Sequence, residues 1–194
     1  GKITAPVVAA NYQQFELTIK VVIGEKITPV KSDDFKISAT GIIYRQTLEN
    51  STLTVEGTMK DPTTGKEVKG TFAWKNESDF PIQTGDVYFD WTFTPAAGYE
   101  KYATATGTVT IKVKPAKLTV SVKASRMYYT GEEQIASIIA SGQSVDSTPV
   151  TFTYSDKVDG NYTSGVPTFT DAGTYTVYYK AEAANHEPAT GTFT

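Results

Sequence analysis

The chain of 194 residues contains no cysteine and a single histidine, His186. Without thiols it has no thiolate metal site, no disulfide framework and no cysteine nucleophile. One histidine excludes a two-histidine metal site. Any serine, histidine and acid relay would have to be built on His186, which sits in the polar string Ala184-Asn185-His186-Glu187-Pro188 and reads as a solvated turn residue. No apolar run approaches the roughly 20 residues of a membrane-spanning helix, and the start lacks the charged-then-apolar layout of a signal peptide. Gly1 stands in place of an initiating methionine and reads as the scar of a cleaved tag on an excised fragment, so the missing targeting segments carry no information about the parent protein. Cationic excess is missing too: residues 1–114 carry 13 Lys and Arg against 13 Asp and Glu, and residues 115–194 carry 5 against 8. A nucleic-acid partner needs clustered cations to neutralise phosphates, so none is expected.

What the chain does have is threonine, its commonest residue, with 12 tyrosines and 9 phenylalanines. Such β-branched and aromatic side chains suit a pleated, half-buried surface. Apolar and polar residues alternate over 53–59, 87–93, 108–113, 118–122, 150–154 and 175–179, each a short strand. Turn chemistry separates them at Asp61-Pro62-Thr63-Thr64-Gly65 and at 156–161. Residues 132–140 place Ile135, Ile138 and Ile139 at helical spacing, yet the stretch is short and boxed by Gly131 and Gly142, which favours strand. An internal repeat divides the chain. Ala105-Thr106-Gly107-Thr108-Val109-Thr110 recurs as Ala189-Thr190-Gly191-Thr192-Phe193-Thr194, each copy after a strand led by glycine, at Gly85 and at Gly173. The first copy continues through Ile111-Lys112-Val113, whereas the second stops at Thr194, so its last strand reads as truncated. Two domains are expected, 1–114 and 115–194, joined by Lys114-Pro115-Ala116-Lys117 with little slack and limited bending.

Candidate chemistry is thin. Asp156, Asp159 and Asn161 offer oxygens loosely like the opening of a calcium loop, but the glycine and the closing glutamate are missing, and a hairpin turn is the better reading. Asp33-Asp34 and Glu132-Glu133 are adjacent pairs, which on strands point to opposite faces and do not act together on one bond. Gly65-Lys66 lacks the glycine and hydroxyl of a phosphate loop. Asn50, Asn76 and Asn161 start glycan-acceptor triplets of the kind a Thr- and Ser-rich chain contains by chance. Tyr99 and Tyr102 in the 95–104 connection, and Tyr128-Tyr129 before Gly131, are the candidate ligand-binding residues, as rings that could stack on sugars; core packing or strand-end capping is the stronger reading of them. Lys123, Asn185 and Glu132 supply the residue types of a self-forming Lys–Asn isopeptide bond, although Asn185 falls in a loop. No metal, no cofactor and no catalytic residue is expected.

One string carries more information about the fold. Asp171-Ala172-Gly173-Thr174-Tyr175 has the layout of an immunoglobulin-type tyrosine corner, in which the tyrosine hydroxyl bonds back to upstream backbone. It makes Asp171, Gly173 and Tyr175 the expected structural residues, with Tyr175 buried and Gly173 in a conformation that side chains disfavour. Val177 stands where the second cysteine of a disulfide-pinned sandwich would be, so packing alone must hold the sheets. The stretches Tyr129-Thr130-Gly131-Glu132, Val166-Pro167-Thr168-Phe169-Thr170-Asp171-Ala172-Gly173-Thr174-Tyr175 and Asn185-His186-Glu187-Pro188-Ala189-Thr190-Gly191 resemble bacterial immunoglobulin-like repeats of the MBG type, found in tandem on surface proteins of Gram-positive, often gut-dwelling, bacteria. The first half is similar to a related repeat through Gly70-Thr71-Phe72-Ala73-Trp74-Lys75 and Trp91-Thr92-Phe93-Thr94-Pro95. It departs at the corner, where Val87 stands for the tyrosine and Tyr88 comes one position late, and residues 1–30 match no part of the repeat.

The resemblance implies an all-β chain of two tandem immunoglobulin-like β-sandwiches. It implies a non-catalytic stalk, spacer or adhesive module, extracellular on a bacterial cell surface or wall and monomeric, with a host or cell-surface glycan or protein as the class of partner and no membrane insertion by this piece. A carbohydrate-binding module using exposed tyrosine and tryptophan, and an accessory domain of a secreted enzyme, are the alternatives. Burial of Trp74 and Trp91 favours the spacer; their exposure on one concave face favours the sugar site.

Overall fold

The computed structural model describes residues 23–194 together with the backbone of the strands Lys2–Val7 and Phe15–Lys20, which pair antiparallel. The chain is all-β: among the described residues, besides one turn of 3-10 helix at Leu48–Asn50, every regular element is a strand. Most strands fall where alternation places them, and residues 132–140 resolve into Gln134–Ile135 and the first part of Ile138–Gln143, so the strand reading of the isoleucines holds.

The first half is organised by the strand Gly85–Pro95. It pairs antiparallel on one side with Ala105–Lys114 and on the other with Gly70–Trp74, and Ala105–Lys114 pairs in parallel with the short strand Ile42–Ile43. Two smaller sheets face it: Val30–Lys31 with Met59–Lys60 and Glu67–Val68, and Lys36–Ala39 with Leu53–Glu56. Alternation then decides what is buried. Trp91 and Phe93 on one strand, and Val109, Ile111 and Val113 on the next, all point inward, while the residues between them stay at least partly in solvent. They meet Leu48, Met59, Val68 and Tyr102 in a continuous cluster of 13 buried residues running from Ile42 to Ala116. The Phe72 ring sits 5.4 Å from Trp91 and 4.9 Å from Phe93, in tilted geometry that favours aromatic pairs beyond simple area burial.

The repeated Ala-Thr-Gly-Thr string has a physical cause. Gly107 lies directly across the ladder from Trp91, and Gly191 lies across from Tyr179. In each case an added Cβ would overlap the ring of the partner residue. The two glycines recur because an aromatic side chain lies over each of them, a cross-strand arrangement that stabilises the pair.

The second half has fewer buried groups. Val177–Glu182 is flanked by Thr151–Ser155 and Ala189–Phe193, and Thr119–Ala124 pairs with Ile138–Gln143. Among the described residues after Lys117, the buried hydrophobic side chains are Tyr154, Val177 and Ala181. The expectation that a strand begins at Gly173 is corrected: the strand begins at Val177, because the residues before it have no neighbouring strand.

The joint is fixed from both sides. The Tyr44 N–H donates to the Lys114 carbonyl at 2.8 Å, and the Ala116 N–H donates to the Asn185 carbonyl at 3.1 Å. Ala116–Lys117 pairs in parallel with His186–Glu187. Asn185 adopts φ 62°, and its Oδ1 accepts from both the N–H and the hydroxyl of Thr84. His186 is therefore not the solvated turn residue its neighbours in sequence imply. It is 7% exposed, edge-on to the Tyr44 ring at 5.6 Å, and its Nε2 accepts the Val145 N–H at 3.2 Å. Nδ1 lies 2.7 Å from the Ala184 carbonyl, which places the ring proton on Nδ1.

Candidate functional site: a cleft beside an interrupted ladder

The cleft is built by a difference between the two halves. In the first, Gly85–Pro95 and Ala105–Lys114 stay in register for nine pairs, from Gly85↔Val113 to Phe93↔Ala105. In the second, Val177–Glu182 and Ala189–Phe193 share five, from Val177↔Phe193 to Ala181↔Ala189. Superposing Trp91↔Gly107 on Tyr179↔Gly191 puts Gly173 at the place of Gly85 and Tyr175 at the place of Val87. Residues 173–176 thus occupy the positions of a paired strand, yet among the described residues no backbone hydrogen bond reaches them.

The corner residues line this place. The Tyr175 hydroxyl donates to the Asp171 carbonyl at 2.9 Å, and its ring stacks on Phe169 with centroids 4.0 Å apart. Two expectations are corrected. Tyr175 is not buried but 37% exposed, because the face that a neighbouring strand would cover is open. Gly173 has no positive φ; an added Cβ would come within 3.3 Å of the Tyr175 ring, a tight contact that a small shift of that partly exposed ring relieves. Asp171 contributes through its carbonyl, while its residue surface is exposed.

Residues 125–129 form the opposite wall, and the cleft between encloses about 470 Å³, with Met127, Tyr128, Phe169, Tyr175, Val177 and Phe193 among its lining. That volume falls in the range of about 300–1,000 Å³ common for ligand sites. Tyr128 is 84% and Tyr129 68% exposed, so of the four candidate tyrosines these two reach the cleft. The other pair lies elsewhere and is engaged. Tyr102 is buried, with its hydroxyl donating to Asp61 at 2.7 Å, and half-buried Tyr99 packs against the core with its ring 6.1 Å from Tyr102.

Two tyrosine–aspartate pairs hold the molecule together, one within the first half and one across the joint. Asp61 takes the Tyr102 hydroxyl on one oxygen and the N–H groups of Thr63 and Thr64 on the other, each at 2.8 Å. The hydroxyl bond first, then those N–H groups, hold its carboxyl far below the ordinary carboxylate range, and the same bond raises the Tyr102 phenol. Asp146 repeats the device: the Tyr44 hydroxyl at 2.7 Å and Thr148 depress its carboxyl likewise. Neither pair was visible in the sequence, since the partners are 41 and 102 residues apart.

The remaining candidates are dispersed. Lys123 and Glu132 are exposed while the Asn185 side chain is held by Thr84, so the three isopeptide residues are not brought together. Asp156, Asp159 and Asn161 are exposed in the turn after Thr151–Ser155. Among the described residues there is no cluster of three His, Cys, Asp or Glu placed to hold a metal ion, and no helix is long and apolar enough to cross a membrane. Trp74 and Trp91 are both buried, their ring N–H groups donating to the carbonyls of Ser51 and Thr108. In comparisons with known proteins, no family model, no curated protein and no solved structure matches the chain.

Proposed function

We propose that the chain is a non-catalytic spacer or stalk module of a bacterial cell-surface protein, made of two tandem immunoglobulin-like sandwiches, 1–114 and 115–194. The observation that carries this reading is the pinned joint. Tyr44–Asp146, Thr84–Asn185 and Tyr44–His186 cross it, so neighbouring modules keep one orientation and the chain transmits length. Burial of both tryptophans supports the same reading, since it leaves no indole to stack on a sugar. The tyrosine corner and the glycine–aromatic repeat support the immunoglobulin-like assignment of the second half. Small-angle X-ray scattering of the full chain tests the spacer. A narrow distribution of maximum dimension, broadened by Asn185→Ala with Tyr44→Phe, is expected; an equally broad distribution in the unaltered chain contradicts it.

A carbohydrate-binding role has one observation in its favour, the exposure of Tyr128 and Tyr129 at the mouth of the cleft. Titration with oligosaccharides, followed by tyrosine fluorescence and lost on Tyr128→Ala, would establish it in place of the spacer.

A further inference from the structure

We propose that the joint is an acid-released latch, in which a second proton on the His186 ring frees the Val145 N–H and lets the two halves turn independently. His186 is the one side chain here of a type that ordinarily titrates between about pH 5 and 8. Both its ring nitrogens are engaged, in opposite senses. Nδ1 lies 2.7 Å from the Ala184 carbonyl, an acceptor, so it carries the proton; Nε2 accepts the Val145 N–H at 3.2 Å, so it must keep its lone pair. The ring is buried, which leaves little room for water to take over either partner. Only the neutral ring fits this arrangement. A proton on Nε2 would set two donors against each other and leave a buried N–H without an acceptor.

The Val145 bond reaches across the joint through its neighbour. Asp146, one residue on, takes the Tyr44 hydroxyl of the first half at 2.7 Å, and the Tyr44 ring closes the triangle by packing on His186 at 5.6 Å. The charged groups on the elements packed against the ring are Arg45 beside Tyr44, Asp146 beside Val145, Lys114 and Lys117 on either side of Ala116, and Glu187 beside His186 itself. Lys114, Lys117 and Glu187 are exposed, and among the described residues no ion pair includes His186. Asp146 is engaged by Tyr44, by Thr148 and by Arg45 at 3.9 Å, and is held far below the ordinary carboxylate range, so it stays charged when histidine titrates. A cationic ring drawn to that carboxylate competes with the Tyr44 hydroxyl for it, so the bond that crosses the joint is weakened. The latched form holds one proton fewer than the released one. Latching is therefore complete above the pH at which a free histidine takes its proton, about 6.5, and is lost as the pH falls below it.

The inference rests on the pinned joint of the spacer reading and is tested on the isotope-labelled full chain, taken from about pH 7.5 to about pH 5.5, on either side of the histidine range. Because the chain has no cysteine, Thr71→Cys and Ser141→Cys, both at exposed positions, carry one fluorophore on each half for a distance measurement. Three changes are expected together. The His186 ring gains a proton on Nε2; exchange of the Val145 amide, corrected for its intrinsic pH dependence, quickens about tenfold while the amides of Gly85–Pro95 are unchanged; and the distance distribution between the halves broadens. His186→Gln, whose amide oxygen still accepts the Val145 N–H but takes no proton, is expected to show no such step. The proposal is overturned by a ring that stays neutral at the lower pH, by a protonated ring with the Val145 amide and the distances unchanged, or by the same step in His186→Gln. A distribution equally narrow at both pH values overturns the latch alone, and one equally broad at both overturns the spacer reading with it. The readings on the unaltered chain decide without the variant.

Discussion

The strand Gly85–Pro95 is paired over nine positions and contributes Trp91 and Phe93 to a cluster of 13 buried residues, whereas the equivalent strand Val177–Glu182 is paired over five and contributes Val177 and Ala181. Both halves use the same glycine beneath an aromatic ring, so the difference lies in what surrounds that shared element. In the first half, a strand runs the full length of the ladder and its inward residues reach the opposite sheets. In the second, pairing is described as far as Val177↔Phe193, one residue before Thr194, and the contacts described before Val177 are the Tyr175 corner and the Phe169 stack. The second half compensates through the joint, where Asn185, His186 and Asp146 take partners from the first. Among the described residues, stability is therefore expected to be higher around Trp91 than at residues 170–176.

The largest expected effect lies in the first core. Trp91→Ala removes a ring with no exposed surface and should cost about 3–5 kcal/mol in chemical denaturation. Tyr179→Ala, at the equivalent but half-buried position, should cost about 1–2 kcal/mol. Equal losses would break the comparison. Next come the glycines. Gly107→Ala drives a methyl into the fully buried Trp91 ring and should cost about 1–3 kcal/mol. Gly191→Ala meets Tyr179 near its hydroxyl end and should cost less, because that half-buried ring can swing.

The joint comes third. Asn185→Ala loses both Thr84 hydrogen bonds and puts at positive φ a residue that tolerates it less well than asparagine, for about 1–2 kcal/mol, most of it as loss of coupling between the halves in a two-probe unfolding curve. Acid probes the joint through Asp146 and the first half through Asp61. Asp61 and Asp146 have folded-state pKa values depressed below their unfolded ones, so their contribution is present above about pH 5 and is lost as the pH falls through the ordinary carboxylate range toward the depressed values. Asp146→Asn should flatten the acid limb of the second half and leave that of the first, while Asp61→Asn should do the reverse. The smallest effect is at the corner: Tyr175→Phe removes one hydroxyl bond at a partly exposed site and should cost under about 1 kcal/mol.

The sequence made the strands and the repeat legible because both are local patterns: alternation marks the inward residues of 87–93 and 108–113, and a glycine beneath an aromatic recurs with its neighbours intact. The corner bond from Tyr175 to Asp171 was equally readable, since its partners are 4 residues apart. Contacts between distant segments were not readable. The polar neighbours of His186 concealed its burial, because the groups that cover it, Tyr44 and Val145, come from other parts of the chain. The cleft was half legible. Tyr128 and Tyr129 could be singled out as candidate rings, but the residues they meet there, Phe169 and Tyr175, come from a distant part of the chain.

Residue-resolved amide hydrogen exchange on the full chain measures the unequal ladder directly. The account predicts slow exchange across the paired positions of 85–93 and 105–113, slow exchange at the ladder amides of Val177–Glu182, and exchange close to that of an open chain at residues 173–176. Protection at 173–176 equal to that of 85–88 would contradict it, since the second ladder would then be complete.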